Sequence, residues 1–148
     1  MNEKQISTAL SSDPLVKFGG VFSSNEVPHY FHHNTFYVYN TAPSQHPGKH
    51  WIVIYCGETT ECFDSLAEEK TSIYFKTFLY DNINFSTLPV QTLDSISCGH
   101  YCLFYIFMRC RGFPMQDIVI FLSGWNNEEF IINFIEDVYG YNVSTITF

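Results

Sequence analysis

His50-Trp51-Ile52-Val53-Ile54-Tyr55-Cys56, then Gly57-Glu58-Thr59-Thr60, then Glu61-Cys62-Phe63-Asp64, is the stretch on which the fold turns. The first seven residues carry the strongest strand signal in the chain, β-branched and aromatic in close succession. The glycine-led tetrapeptide reads as a turn, and the last four residues return as an antiparallel partner. Upstream, Thr35-Phe36-Tyr37-Val38-Tyr39 is a second strand, and residues 43–48 form a loop between the two. Phe18-Gly19-Gly20-Val21-Phe22 reads as a tight turn into an irregular stretch reaching Pro28. Residues 2–10 make a short amphipathic helix that ends near Pro14.

Downstream, residues 65–81 are helical in character and 85–90 form another strand. Residues 98–110 are apolar nearly all round, which predicts a helix buried in the middle of the domain. Gly112 ends it, and Pro114 opens the next helix as a first-turn proline. Asn126 and Glu129 have the spacing of a capping box. The helix they start runs to Tyr139 and stops at Gly140. The class is α+β, helices around a small sheet, and the 148 residues read as one domain with no internal repeat.

Composition narrows the function. Seven Lys and Arg stand against fifteen Asp and Glu, a net charge of −8, so the surface repels a phosphate backbone. The 18% aromatic content lacks the interleaved cations of a nucleic-acid stacking platform and is expected in the core. The start, Met1-Asn2-Glu3-Lys4-Gln5, is polar and has no signal-peptide pattern, and no apolar run is long enough to span a bilayer. An intracellular location is expected, with the five cysteines as free thiols.

The candidate chemistry is that of a thiol nucleophile. Cys98 stands at the first turn of the buried helix, where free N–H groups and the helix dipole lower a thiol pKa. Gly99 has no side chain to block a peptide lying over the sulfur. His50 heads the best strand, and Asp64 ends its hairpin partner, within reach of orienting an imidazole. Gln91 precedes the nucleophile loop and can donate to an oxyanion together with the Cys98 N–H. Taken singly, a cysteine in a buried helix packs, a histidine before a strand does nothing, and an aspartate after one caps a turn. Trp51 reads equally as a wall of the substrate groove or as a core aromatic. Cys102 reads as packing. His29, His32 and His33 cluster without Cys or acidic companions, so no metal is expected.

Four segments together carry a family resemblance. Val90-Gln91, Ser95 and Cys98-Gly99 followed by an aromatic and Cys102 resemble the nucleophile segment of the adenain family, the adenovirus endopeptidases. Asn40-Thr41-Ala42 through Gly48 to His50-Trp51 resembles that family's histidine segment, and Phe63-Asp64 its acidic segment. Phe18-Gly19-Gly20 through Pro28 is similar to its N-terminal turn. The resemblance implies a mixed sheet with surrounding helices and the catalytic Cys98 at the N-terminus of a central helix. It implies a cysteine endopeptidase cutting at Gly-Gly or Gly-X sites, of the type that matures capsid precursors in adenoviruses, adintoviruses and Polinton-like elements. Its setting would be the host nucleus or cytoplasm and the virion. More distant relatives process SUMO and ubiquitin-like modifiers, so a modifier protease or isopeptidase stays open as an alternative. An inactive protease fold used as a binding module is a third reading.

The departures are informative. The acid is Asp64, where adenain has Glu and the modifier proteases have Asp. No cysteine lies between Cys62 and Cys98, so the disulfide that tethers adenain's activating peptide has no counterpart, although an activating peptide or protein partner is compatible with the chain. Adenain is basic and takes DNA as a cofactor, whereas this chain is acidic and is expected to need none. Duplex DNA should therefore leave the rate of Gly-Gly-X peptide cleavage unchanged at physiological salt. A salt-sensitive stimulation in that assay would show that the cofactor carries over.

Overall fold

The computed structural model describes residues 1–23, 26, 31–41, 50–68, 83–91, 97–124 and 128–140. Five strands, β1 (Phe18–Phe22), β2 (Thr35–Asn40), β3 (Trp51–Cys56), β4 (Thr60–Phe63) and β5 (Ile83–Phe85), lie side by side in chain order. The outer pairs β1/β2 and β4/β5 are parallel and the inner pairs are antiparallel, so the sheet is mixed. Among the described residues there are four helices: α1 (Glu3–Ser12), α2 (Cys98–Arg109), α3 (Met115–Ser123) and α4 (Glu128–Tyr139). The α+β class is as expected. None of the described helices is long and apolar enough to cross a membrane.

Successive strand residues face opposite sides of the sheet, and both sides are apolar. Phe36, Val38, Trp51, Val53 and Phe63 join one core with α1, α2, α3 and α4. Tyr37, Tyr39, Ile52, Ile54, Cys56 and Cys62 join a second core on the other face, with Phe22, Phe31, Ile83 and Phe85. Burial on both faces is why β2 and β3 read as near-continuous apolar runs. Cys56 and Cys62 share the second face, but Cys56 pairs with Thr60 and Cys62 with Ile54, and both thiols are free.

Helix α2 packs against β3, and α1, α3 and α4 pack around α2. Eight of its twelve residues, Cys98, Gly99, Tyr101, Cys102, Leu103, Phe104, Tyr105 and Ile106, are buried. The chain turns out of α2 through Gly112 at φ 98°, a left-handed conformation suited to glycine. Helix α1 begins with a capping box, in which Asn2 Oδ1 accepts from the Gln5 N–H and Gln5 Oε1 from the Asn2 N–H, each at 2.9 Å. It ends at Asp13, whose buried carboxylate binds Arg111 at 3.2 Å and accepts the Tyr139 hydroxyl at 3.0 Å.

Four expectations are corrected. Phe18–Phe22 is an edge strand, not a turn. Its register breaks between Phe18 and Gly20, where Gly20 takes φ 131°; this bulge lets Phe18 and Val21 both face the helix-side core. The strand expected at 85–90 is instead Ile83–Phe85. Past Phe85 the chain leaves the ladder, because the Ser86 hydroxyl binds the backbone of Asp64 and the Val90 N–H turns to the Ser65 carbonyl. Residues 65–68, expected to open a helix, form a turn with Ala67 at φ 48°; the remainder of that helix, the 43–48 loop, His29 and the Asn126 cap lie outside the described residues. Pro114 sits at the N-cap of α3, one position before its expected place.

The bulge makes Gly19 a tight position. A Cβ there would lie 2.2 Å from Cε1 of the Tyr37 ring, which is buried and whose hydroxyl accepts the His32 N–H at 2.7 Å. Gly19→Ala should therefore cost about 1–3 kcal/mol of unfolding free energy in urea titration, the usual cost of overpacking. An unshifted midpoint would mean that the ring gives way freely.

Candidate active site

Three side chains from three parts of the chain converge at the top of α2. His50 immediately precedes β3, and its carbonyl is held by the Thr41 N–H at 2.9 Å, at the end of β2. Asp64 immediately follows β4, whose antiparallel register brings it back beside the start of β3. His50 Nε2 meets Asp64 Oδ1 at 2.5 Å. The imidazole and the Cys98 thiol each favour the other's charged form, and with Nε2 on the carboxylate, Nδ1 is the nitrogen left for the sulfur. Cys98 is the first residue of α2 and is 6% exposed.

Each group is held by its surroundings. The Trp51 N–H donates to Cys98 Sγ at 3.4 Å, and the Cys102 thiol donates to the Trp51 carbonyl at 3.2 Å. Asp64 is nearly buried, and its oxygens accept the Leu66 N–H at 2.9 Å and the Glu68 N–H at 3.1 Å. This is an Asx-type turn, and its two amides orient the carboxylate. Ser86 Oγ accepts the Asp64 N–H at 2.9 Å and donates to the Asp64 carbonyl at 3.1 Å.

Electrostatics follow from this geometry. Burial by itself lowers the His50 pKa, but hydrogen bonds and charge from Asp64 and Cys98 outweigh it and lift the imidazole to about 9. Burial by itself raises the Cys98 pKa; the His50 contact, the Trp51 N–H, the imidazolium charge and the Met1 amine reverse this and bring it below 9.0. The arrangement stabilises both the thiolate form of Cys98 and the protonated form of His50. The other thiols go the opposite way. Burial holds Cys62 and Cys102 well above 9.0 and Cys56 at about 11.

The remaining sequence candidates have distinct placements. Gln91 is buried, its carboxamide oxygen accepts the Ser65 hydroxyl, and its N–H donates to the Ser65 carbonyl at 3.1 Å. The residue after Asp64 thus holds the Gln91 carboxamide by its oxygen and the Gln91 backbone by its N–H. Trp51 is 4% exposed in the helix-side core, and its indole N–H donates to the Met1 carbonyl at 3.0 Å. Gly99 is buried against the Met1 side chain, where an added Cβ would lie 2.9 Å from Met1 Cβ. His50, Asp64 and Glu68 offer ligand atoms within 4.8 Å of one another. A metal ion there would have to displace the His50–Asp64 hydrogen bond and the proton on His50. Ser65, Ser86 and Met1 are contributors that reading the sequence missed. Only the Asp64-Ser65 pair had a usable signal, as a turn dipeptide.

No protein-family model matches the chain, and no curated protein matches it. Among solved structures, the central domain of the uncharacterized Lpg1148 protein from Legionella pneumophila superposes with a TM-score of 0.50 at 12% identity, covering 94% of this chain and 96% of that one. That likeness is one of fold. The ASFV pS273R protease superposes with a TM-score of 0.38 at 19% identity, over 76% of this chain and 44% of that protease.

Two pH measurements check the electrostatics. Iodoacetamide labelling followed cysteine by cysteine should show Cys98 titrating below 9.0, with His50→Ala moving it upward, while Cys62 and Cys102 stay unlabelled in the native protein. For stability, the folded pKa of His50 lies above its ordinary 6.5, so the pair's contribution is complete below about 6.5 and fades as pH rises through about 9. Urea midpoints of wild type and His50→Ala should therefore converge at alkaline pH. A gap that widened above pH 9 would contradict the assignment.

Proposed function

We propose that the chain is a cysteine endopeptidase with Cys98 as nucleophile, His50 as proton carrier, Asp64 as the residue orienting His50, and Gln91 as an oxyanion donor. The carrying observation is geometric: His50 bonded to Asp64 at 2.5 Å, beside Cys98 at the head of a helix with the Trp51 N–H on its sulfur.

The Cys98 thiolate attacks the scissile carbonyl carbon, forming a C–S bond and a tetrahedral oxyanion. The Cys98 N–H and the Gln91 –NH2 stabilise that oxyanion. Collapse breaks the C–N bond, and His50 Nδ1–H gives its proton to the departing amine, leaving a thioester and a neutral imidazole. Water then attacks the thioester with His50 as base, and the acid product leaves as the thiolate–imidazolium pair is restored. Asp64 keeps the Nε2 proton and with it the useful tautomer, without transferring a proton itself.

The likeness of the nucleophile and histidine segments to the adenain family supports substrates with Gly-Gly or Gly-X sites, and a role in maturing viral or transposon capsid precursors. Gly99, bare beside the thiol, and Trp51 would flank the bound peptide. An activating peptide or protein fits this reading, and DNA does not.

A fluorogenic Gly-Gly-X peptide is the direct test. Cys98→Ala should abolish turnover with the fold intact by circular dichroism. Asp64→Ala should cost less than His50→Ala, and Gln91→Ala should lower kcat on the order of a hundred- to a thousand-fold, as for a lost oxyanion donor. Turnover retained in Cys98→Ala would remove the central assignment, and normal rates in Gln91→Ala would place the oxyanion elsewhere. A wild-type chain that binds the peptide without cutting it would be a binding module.

A further inference from the structure

The surface flanking Cys98 already has an occupant, the chain's own first residue. The Trp51 indole is held in the core, so its N–H is a fixed donor, and it donates to the Met1 carbonyl at 3.0 Å. A main-chain carbonyl is what any peptide substrate would present to the same donor. On the other side, the Met1 side chain fills the space that Gly99 leaves open, with its Cβ 2.9 Å and its sulfur 3.2 Å from where a Gly99 Cβ would stand. In the same helical turn, the buried Nδ1 of His100 has no hydrogen-bond partner among the described residues. A buried polar atom left unpaired is costly, so this turn of the helix is incompletely satisfied.

The start of α1 does not depend on Met1. Met1 precedes the Asn2 cap, and the reciprocal Asn2–Gln5 box that starts α1 is complete without it. Among the described residues, its main-chain hold at the site is one hydrogen bond, from Trp51. Lifting it away leaves Ile6, Ala9 and Leu10 buried in the core.

We infer that Met1 is a self-ligand that covers the peptide-binding surface beside Cys98 and must be displaced before a substrate backbone can engage the Trp51 indole and pass over Gly99. This rests on the protease reading for its substrate, but not for the covering itself. A site held partly in a covered state binds its ligand more weakly by the fraction that is open.

Three forms of the full chain separate cover from charge: the parent, a chain beginning at Asn2, and the parent with its Met1 amine acetylated. Cys98-resolved iodoacetamide labelling reads the covering without any need for proteolysis. Removing Met1 should speed labelling about three- to tenfold and lower the KM for a Gly-Gly-X peptide by a similar factor with kcat unchanged. Acetylation keeps the covering side chain and should leave labelling at or below the parental rate, because the amine charge favours the thiolate. Faster labelling of the shortened chain with no peptide turnover in any form would uphold the covering and overturn the protease reading instead. Equal labelling of the parent and the shortened chain would overturn the covering, as would acetylation that accelerates labelling as much as removing Met1.

Discussion

The backbone of Trp51 is held by two sulfurs of one helix. Its N–H points to Cys98, and the Trp51 carbonyl takes a hydrogen bond from Cys102, one turn further along α2. Both backbone groups are buried, and a buried N–H or carbonyl needs a partner. At this end of β3 the partners come from the helix, which fixes the helix's position along the strand and its rotation about its own axis. His50, one residue before Trp51, then has little choice of position. The same contact that completes the core also delivers the imidazole to the thiol and a hydrogen bond to the sulfur.

The second constraint is the carboxylate. A nearly buried Asp is tolerable only when its oxygens are bonded. Asp64 meets that condition through the Leu66 and Glu68 amides and the His50 ring, in a turn that forces Ala67 into a left-handed conformation. Ser86 pins the Asp64 backbone, and Ser65 reaches Gln91. One short turn therefore orients the base on one side and the oxyanion candidate on the other. Ala67 lies between the two residues whose amides the carboxylate collects, and the Glu68 amide reaches Asp64 through its left-handed backbone.

The far end of α2 is secured by a different chemistry. Glu61 accepts from the Tyr105 hydroxyl at 2.5 Å and from Arg109 through both carboxylate oxygens at 3.1 Å. The Phe63 and Tyr105 rings stack at 4.7 Å, and Arg109 lies over the Tyr55 ring. Beyond the helix, Arg111 and Tyr139 close on Asp13 at the end of α1. The helix is thus gripped at its head by backbone and sulfur, and at its tail by ionic and aromatic contacts to β3 and β4. A rigid scaffold of this kind is what a site assembled from strand ends and a helix N-terminus requires.

Much of this was legible in the residues. The apolar run from Trp51 to Cys56, the turn at Gly57 and the all-round apolar character of α2 settle the hairpin and the buried helix, because side-chain type and period act locally. His50, Asp64 and Cys98 were legible as candidates because each stands at the end of a predicted element. The Phe18–Phe22 strand was hidden by its two glycines, whose role is to admit a bulge and the Tyr37 ring, both set by a neighbouring strand. The turn at residues 65–68 was hidden because helix-forming residues yield there to a carboxylate collecting amides. What the sequence by itself determined is therefore the elements and the chemistry on offer at their ends. Only the tertiary structure decided that Nε2 of His50 faces Asp64, that Ser65 holds Gln91, and that Met1 lies against Trp51 and Gly99. Those outcomes depend on contacts between residues far apart in the chain, and no local pattern encodes them.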